Sequence, residues 1–362
     1  MAAADTPADL AVTAHRGPRR LPALPGIAVL GVALVLVALY ALTQGAADIP
    51  FEVVVRMLLD RLPLIDVSAG ADVPASWSQI VFDIRLPRVL AAGFVGAALA
   101  VSGSAYQGCF RNPLADPYLL GVAAGAGLAV ALAYISPLPV SSTGFVSLPL
   151  FAFLGGMGTV LIVYMTARTA ASLDNGSLIL AGVALSAVWG GVTSFVILNN
   201  EAQVSQPIMS FLFGGFNTVS WQKLLLGAPY MVIGITVVSL HARALNVLQL
   251  DEEQASHLGI DVLRTKLVLL AAGSLAAATA VAVAGVIGFL GLIVPHVARL
   301  LFGTDYRRTL PVTILGGAAL LIGVDLIART IMQPQEVPVG VLTAILGGPF
   351  FIALLRGRRV FL

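Results

Sequence analysis

Charged side chains are scarce in this sequence. Asp, Glu, Lys and Arg make up only 10% of its 362 residues, against about a quarter in soluble domains, while 58% of the residues are hydrophobic and the mean hydropathy is +0.96. So few polar groups exclude a soluble globular domain. Cysteine is nearly absent as well. Cys109 stands alone, so an internal disulfide framework and a cysteine-based metal cluster are both excluded, and the residue reads as a small packing group. His296 follows Pro295 in a glycine-rich stretch but lacks companion ligands, so no metal site and no cofactor is expected. No G-x-x-x-x-G-K-[ST] loop occurs, which removes the usual means of binding and hydrolysing ATP. Within the apolar runs the only clear ionisable candidates are Asp325 and Arg329. They stand four apart on one helical face and satisfy one another most simply.

What the sequence has instead is long apolar runs. They cover approximately 27–42, 86–107, 114–135, 146–167, 176–198, 222–241, 262–284, 286–302, 310–331 and 339–355. A helix needs about 20 apolar residues to cross the hydrocarbon core, and the runs are continuous rather than alternating, which excludes an outer-membrane barrel. The expected class is an all-α polytopic membrane protein with about ten transmembrane helices. Small residues such as Gly121 and Gly125 recur at four-residue spacing and let helices approach closely.

The charges are few but one-sided. With a cytoplasmic amino terminus, fourteen of the twenty Lys and Arg residues fall on inner loops and tails, and Arg56, Arg61, Arg85, Arg88, Lys223 and Arg329 fall outside. That is the positive-inside bias, and an even number of spans places both termini in the cytoplasm. Residues 1–24 read as a cytoplasmic tail, and 25–358 as the membrane domain. A basic flank before 27–42 and the small residues Gly45-Ala46-Ala47 also fit a cleavable signal peptide, but nine remaining spans would have the wrong parity for the charges. The outer loop 45–83 carries an amphipathic helix, with Asp48 as its cap, Pro50 in its first turn, and Phe51, Val54, Val55, Leu58 and Leu62 on one face.

The inner loop 249–260 is acidic. Asp251 is the expected amino-terminal cap, Gln254 completes a capping box, and Gly259 stops the helix. A short helix specified at both ends reads either as a capped connector or as a docking element for a cytoplasmic partner.

Several strings are ordered along the chain: Arg85-Leu86-Pro87-Arg88; Gly103-Ser104-Ala105-Tyr106-Gln107; Arg111-Asn112-Pro113-Leu114-Ala115-Asp116-Pro117; Leu180-Ala181-Gly182-Val183-Ala184; and Ala255-Ser256-His257-Leu258-Gly259. Next come the stretch from Gly285 to His296, Asp325-Leu326-Ile327-Ala328-Arg329, Glu336-Val337-Pro338-Val339-Gly340, and Gly347-Gly348-Pro349-Phe350-Phe351. In order and spacing the chain resembles the FecCD or BtuC-like permease subunits of ABC importers for iron-siderophores, haem and vitamin B12. The resemblance implies a type II ABC importer permease fold in a bacterial inner membrane. It also implies a homodimer with the pathway on its axis, two cytoplasmic ATPase subunits and an extracytoplasmic substrate-binding protein. No nucleic-acid partner is implied.

The same resemblance assigns ATPase docking to Glu253, Ala255, His257, Leu258 and Gly259, and binding-protein docking to Arg85, Arg88 and Arg329. Snorkelling of those arginines to the interface is the alternative. Asn175 and Gly176 match the inner gate of the family, or else cap a helix. Phe211, Phe213 and Phe216 line the pathway or pack against lipid. Gly214-Gly215-Phe216 departs from the Gly-Ser-Leu common in siderophore permeases and is similar to vitamin B12 permeases, so the cargo stays open. An ion-coupled secondary transporter is the competing function, disfavoured by the lack of intramembrane ionisable groups. An intramembrane enzyme is disfavoured by the lack of paired catalytic residues.

Overall fold

A computed structural model describes residues 22–45, 47–61, 74–136, 144–168, 174–250 and 252–357. Most of the expected tail, part of the outer loop and Asp251 lie outside those residues. Helix α1 spans Ala23–Thr43, α2 Phe51–Asp60, α3 Ala75–Gln79, α4 Leu86–Phe110, α5 Val122–Ile135, α6 Gly144–Ala167, α7 Asn175–Leu198 and α8 Ala202–Phe213. The chain continues with α9 Trp221–Leu240, α10 Ala242–Val247, α11 Glu252–His257, α12 Val262–Ala284, α13 Leu290–Phe302, α14 Tyr306–Thr330 and α15 Val339–Gly357. Seven described helices are long and apolar enough to cross a membrane, and α5, α13 and the described part of α15 are shorter apolar helices. The ten expected runs each carry one of these ten elements.

Two helices form the centre. The stretch Ala75–Phe110 is 83% buried over its apolar window and α12 is 78% buried, whereas α1 and α7 are only 17% buried. Helix α4 packs against α14, α12, α9 and α13, and α5 packs against α6 and α7. Such close contact needs absent side chains at the crossings. A Cβ on Gly103 would lie 1.9 Å from the Gly291 carbonyl oxygen of α13, and one on Gly96 would lie 2.2 Å from that of Gly317 on α14.

The structure corrects several expected boundaries. Helix α4 does not follow directly on a loop: it continues back through a π-helical turn at Ile80–Arg85 into α3, so the end of the expected outer loop is helical. Asp48 does not cap α2, because Pro50 occupies the cap position without a side-chain bond; proline at the helix start needs no amide partner there. Of the expected apolar face of α2, Val54 is buried and Leu58 packs against the core, but Phe51 is exposed and Leu62 lies outside the described residues; Met57, not among the residues expected on that face, is buried instead.

The expected run 114–135 becomes a turn, a 3-10 segment Pro117–Leu120 and then α5. Arg111 takes a left-handed conformation at φ 51°, and the Asn112 amide donates to the Gln107 carbonyl at 3.2 Å, which terminates α4. The expected run 286–302 is helical only from Leu290. Gly285 has φ 70°, and a Cβ there would meet the Phe211 carbonyl at 2.3 Å, so the chain must leave the helix. Non-helical backbone at membrane depth requires protein partners, and they are present. The Val286 amide donates to the Phe211 carbonyl at 3.1 Å, and the Gly215 amide to the Ala284 carbonyl at 2.7 Å. The Tyr118 hydroxyl donates to the Ile287 carbonyl at 2.9 Å.

Candidate functional site

Three regions carry the residues singled out by sequence. At the expected outer end, the π-helical turn and the start of α4 bring Arg85 and Arg88 beside the last turns of α14. Arg88 forks between two carboxylates. Its Nε lies 3.0 Å and its Nη2 2.8 Å from the Asp325 oxygens, and its Nη1 lies 2.8 Å from Glu336 in the segment before α15. Arg329 contacts Asp325 at 3.7 Å and donates to the Ala41 carbonyl and, at 3.2 Å, to that of Gln44. Arg85 donates to the carbonyls of Leu42 at 2.7 Å and Thr43 at 2.8 Å, and to that of Ala47.

All three arginines are buried, at 4%, 8% and 6% exposure. Their guanidiniums therefore face the chain itself and tie the end of α1, α4, α14 and the approach to α15 together. The expected mutual satisfaction of Asp325 and Arg329 is only part of the arrangement, because Arg88 is the closer partner of Asp325. Glu336, half-exposed at 39%, was not recognised as a member of this group. Its signal was a lone acid directly before an apolar run, with no Asp or Glu after it in the sequence.

At the expected inner end, α11 is a single and a half turn whose stop is explicit. Gly259 has φ 81°, its amide donates to the Ser256 carbonyl, and the Ile260 amide donates to the Ala255 carbonyl, which is the paired pattern of a Schellman termination. Glu253, His257, Leu258 and Gly259 are exposed. Ala255 is fully buried, so it faces its own chain and sets how α11 lies.

The gate and pathway residues separate. Asp174, not Asn175, caps α7: its carboxylate accepts the Ser177 amide at 2.7 Å and the Ser177 hydroxyl at 2.8 Å. The Ser177 bonds hold this carboxyl below the usual carboxylate range. Asn175 accepts from Lys266 of α12 at 3.2 Å, and Gly176 is exposed beside it. Phe216 is buried in the main apolar core and Phe211 packs against that core, while Phe213 is 46% exposed at the end of α8. Arg299, on α13, donates to Gln107 of α4 at 2.5 Å, and Gln107 donates to the Gly291 carbonyl at 3.0 Å.

Between α13 and α14, Asp305 organises the turn. It accepts from Asn246 at 2.7 Å and from the Arg307 amide at 2.9 Å. Partial burial alone would raise its pKa, but the Asn246 and Arg307 hydrogen bonds and the nearby Arg307 and Arg308 charges outweigh it and hold the carboxyl below its ordinary value.

Comparison with known proteins places this arrangement. Residues 33–357 match the model of the FecCD transport family. The chain is 37% identical over 92% of its length to an uncharacterised ABC transporter permease, YvrB, of Bacillus subtilis (strain 168), covering 93% of that protein. It is 42% identical to the cobalamin import permease BtuC of Halobacterium salinarum, over 80% of this chain and 76% of that one. It is 38% identical to the hemin transport permease HmuU of Yersinia pestis, over 91% and 94%. Among solved structures it is similar to an inward-facing conformation of a metal-chelate type ABC transporter, with a TM-score of 0.77 at 32% identity, over 91% of this chain and 98% of that one. With helices broken as described and coverage of almost the whole membrane domain, the chain belongs to the FecCD transport family and is a non-catalytic permease subunit of an ABC importer, whose ATPase is a separate subunit.

Proposed function

We propose that this chain, as a dimer in a bacterial plasma membrane with both termini in the cytoplasm, forms the passage for a metal chelate of the haem, cobalamin or ferric-siderophore class. ATP hydrolysis in attached cytoplasmic subunits drives it, and a binding protein delivers the cargo from outside. The observation carrying this reading is the family match over residues 33–357, and relatives named for cobalamin, hemin and iron dicitrate import supply the cargo class.

Helix α11 supports the ATPase contact. Glu253, His257 and Leu258 offer an exposed face of two polar groups around one apolar side chain, and Ala255 beneath them fixes its attitude. The arginines enter differently. Arg85, Arg88 and Arg329 shape the outer surface from beneath, and Glu336 in front of Arg88 is the group a docked carrier meets first. At the inner end, Asn175 and Gly176 line the gate, with Phe213 bordering the passage, while Phe211 and Phe216 support it by packing.

Reconstitution with the cognate ATPase and binding protein tests the reading. Uptake of the chelate should require ATP and persist when ion gradients are dissipated; uptake without ATP that collapses with the gradient would establish the secondary-transporter alternative. Leu258→Glu should detach the ATPase in co-purification while leaving the thermal midpoint of the permease unchanged, and undiminished co-purification would remove α11 from the contact.

A further inference from the structure

A groove runs between α1, α13 and α14, with a cavity of about 650 Å³. Gly26, Leu30, Ile293, Phe302, Val312 and Gly316 are among its walls, and every lining residue is apolar or glycine. Its floor is built. Gly26 admits the Phe302 ring, which an added Cβ would meet at 2.2 Å, and Ile27 and Leu30 pack on Ala298, Phe302 and Val312.

The length of the groove identifies what fills it. Its lining runs from Ile293 to Phe302 on α13 and from Val312 to Leu320 on α14, about 12–14 Å at 1.5 Å per residue. One leaflet of hydrocarbon is about 15 Å deep. The lining reaches Pro22, Pro25 and Gly26 at the start of α1 and Phe302 at the end of α13, beside the start of α14, at the cytoplasmic end under the proposed topology.

A cation lies one helical turn beyond that end of the lining. Arg308 is four residues before Val312, eight before Gly316 and twelve before Leu320, so it continues the same stripe of α14 by one turn. Its side chain is 67% exposed, and its nearest carboxylate, Asp305, is 4.0 Å away with that acid's other oxygen already bonded to Asn246 and the Arg307 amide. An apolar slot one leaflet deep with a solvent-facing guanidinium above it complements one kind of molecule.

We propose that this groove holds one acyl chain of an anionic phospholipid from the cytoplasmic leaflet, with the lipid phosphate against Arg308. An arginine near a membrane surface favours an anionic headgroup by about 1 kcal/mol, or about fivefold in affinity. The leaflet rests on the proposed topology, but binding in detergent does not depend on which side the termini face, so a failure of binding and a failure of topology are separate results.

The test is native mass spectrometry of the full-length chain in detergent, titrated with phosphatidylglycerol and, separately, phosphatidylcholine of the same chains. The wild type should retain phosphatidylglycerol about fivefold better. Arg308→Gln, at an exposed position, should abolish that preference and leave phosphatidylcholine binding unchanged. Gly316→Leu should reduce both lipids, since Gly316 lines the slot and a Cβ there meets only Val294 at an ordinary 3.6 Å. Equal retention of the two lipids by wild type, or an undiminished preference in Arg308→Gln, overturns the headgroup assignment. Unchanged binding in a folded Gly316→Leu protein, or disulfide cross-linking of two copies through Val29→Cys, overturns the groove as a lipid site.

Discussion

At the residue scale, the decisive group is the buried trio of Arg88, Asp325 and Arg329, with the half-exposed Glu336 at its edge. Charges withdrawn from water are tolerated only when each is paired, and deleting one partner exposes the desolvation cost of the other. Arg88→Met and Asp325→Leu should each lower stability by about 3–5 kcal/mol, whereas the double variant should lose clearly less than the sum. Thermal unfolding in detergent for the four proteins of the cycle measures this, and strict additivity would show that the two groups do not interact.

Asp305 gives a prediction with a sign. Its carboxyl titrates lower in the fold than its unfolded value of about 3.9, so its contribution is present above that value and disappears as pH falls through the folded pKa. Asp305→Ala removes the cap of α14 and should cost about 1 kcal/mol at neutral pH. The gap between wild type and variant should close as the pH drops below about 4, a comparison that thermal midpoints across a pH series can make.

At the scale of elements, the membrane part is built by helices touching backbone to backbone. Gly103 of α4 meets Gly291 of α13 so closely that a methyl group has no space. Gly103→Val should therefore force α4 and α13 apart and cost at least the 1–3 kcal/mol typical of overpacking. Gly158, with open space around its Cβ position, serves as the control. Gly158→Ala should leave the thermal midpoint nearly unchanged.

Element existence was legible because each of these helices coincides with a continuous apolar run, seven of them of bilayer length. Where the runs break was less legible. The extended segment before Leu290 and the π-helical turn at Ile80–Arg85 depend on distant partners, Phe211 and Tyr118 for the one and the end of α1 for the other, and local apolarity does not register them. The glycine at 285 was visible, but glycine inside an apolar run also suits close helix packing.

At the scale of the whole molecule, the distribution of charge sets orientation. Single cysteines at Glu253 and Gln335, both exposed, should be labelled by an impermeant maleimide from opposite faces of the membrane. The buried Cys109 should not react. Labelling of both from one face would overturn the topology, and with it the leaflet assigned to the α1–α13–α14 groove.

That this chain lives in lipid, is helical and lacks a nucleotide-binding loop can be read from the order of its residues alone. These are properties of composition and period, which survive whatever the helices do in space. That Arg85, Arg88 and Arg329 turn inward, that Ala255 lies beneath its helix instead of on its exposed face, and that Phe216 belongs to the core emerges from the three-dimensional packing. A side chain's direction depends on which helix arrives beside it. For Arg88 those neighbours are Asp325 and Glu336, more than two hundred residues away, and no local pattern announces a partner at that distance.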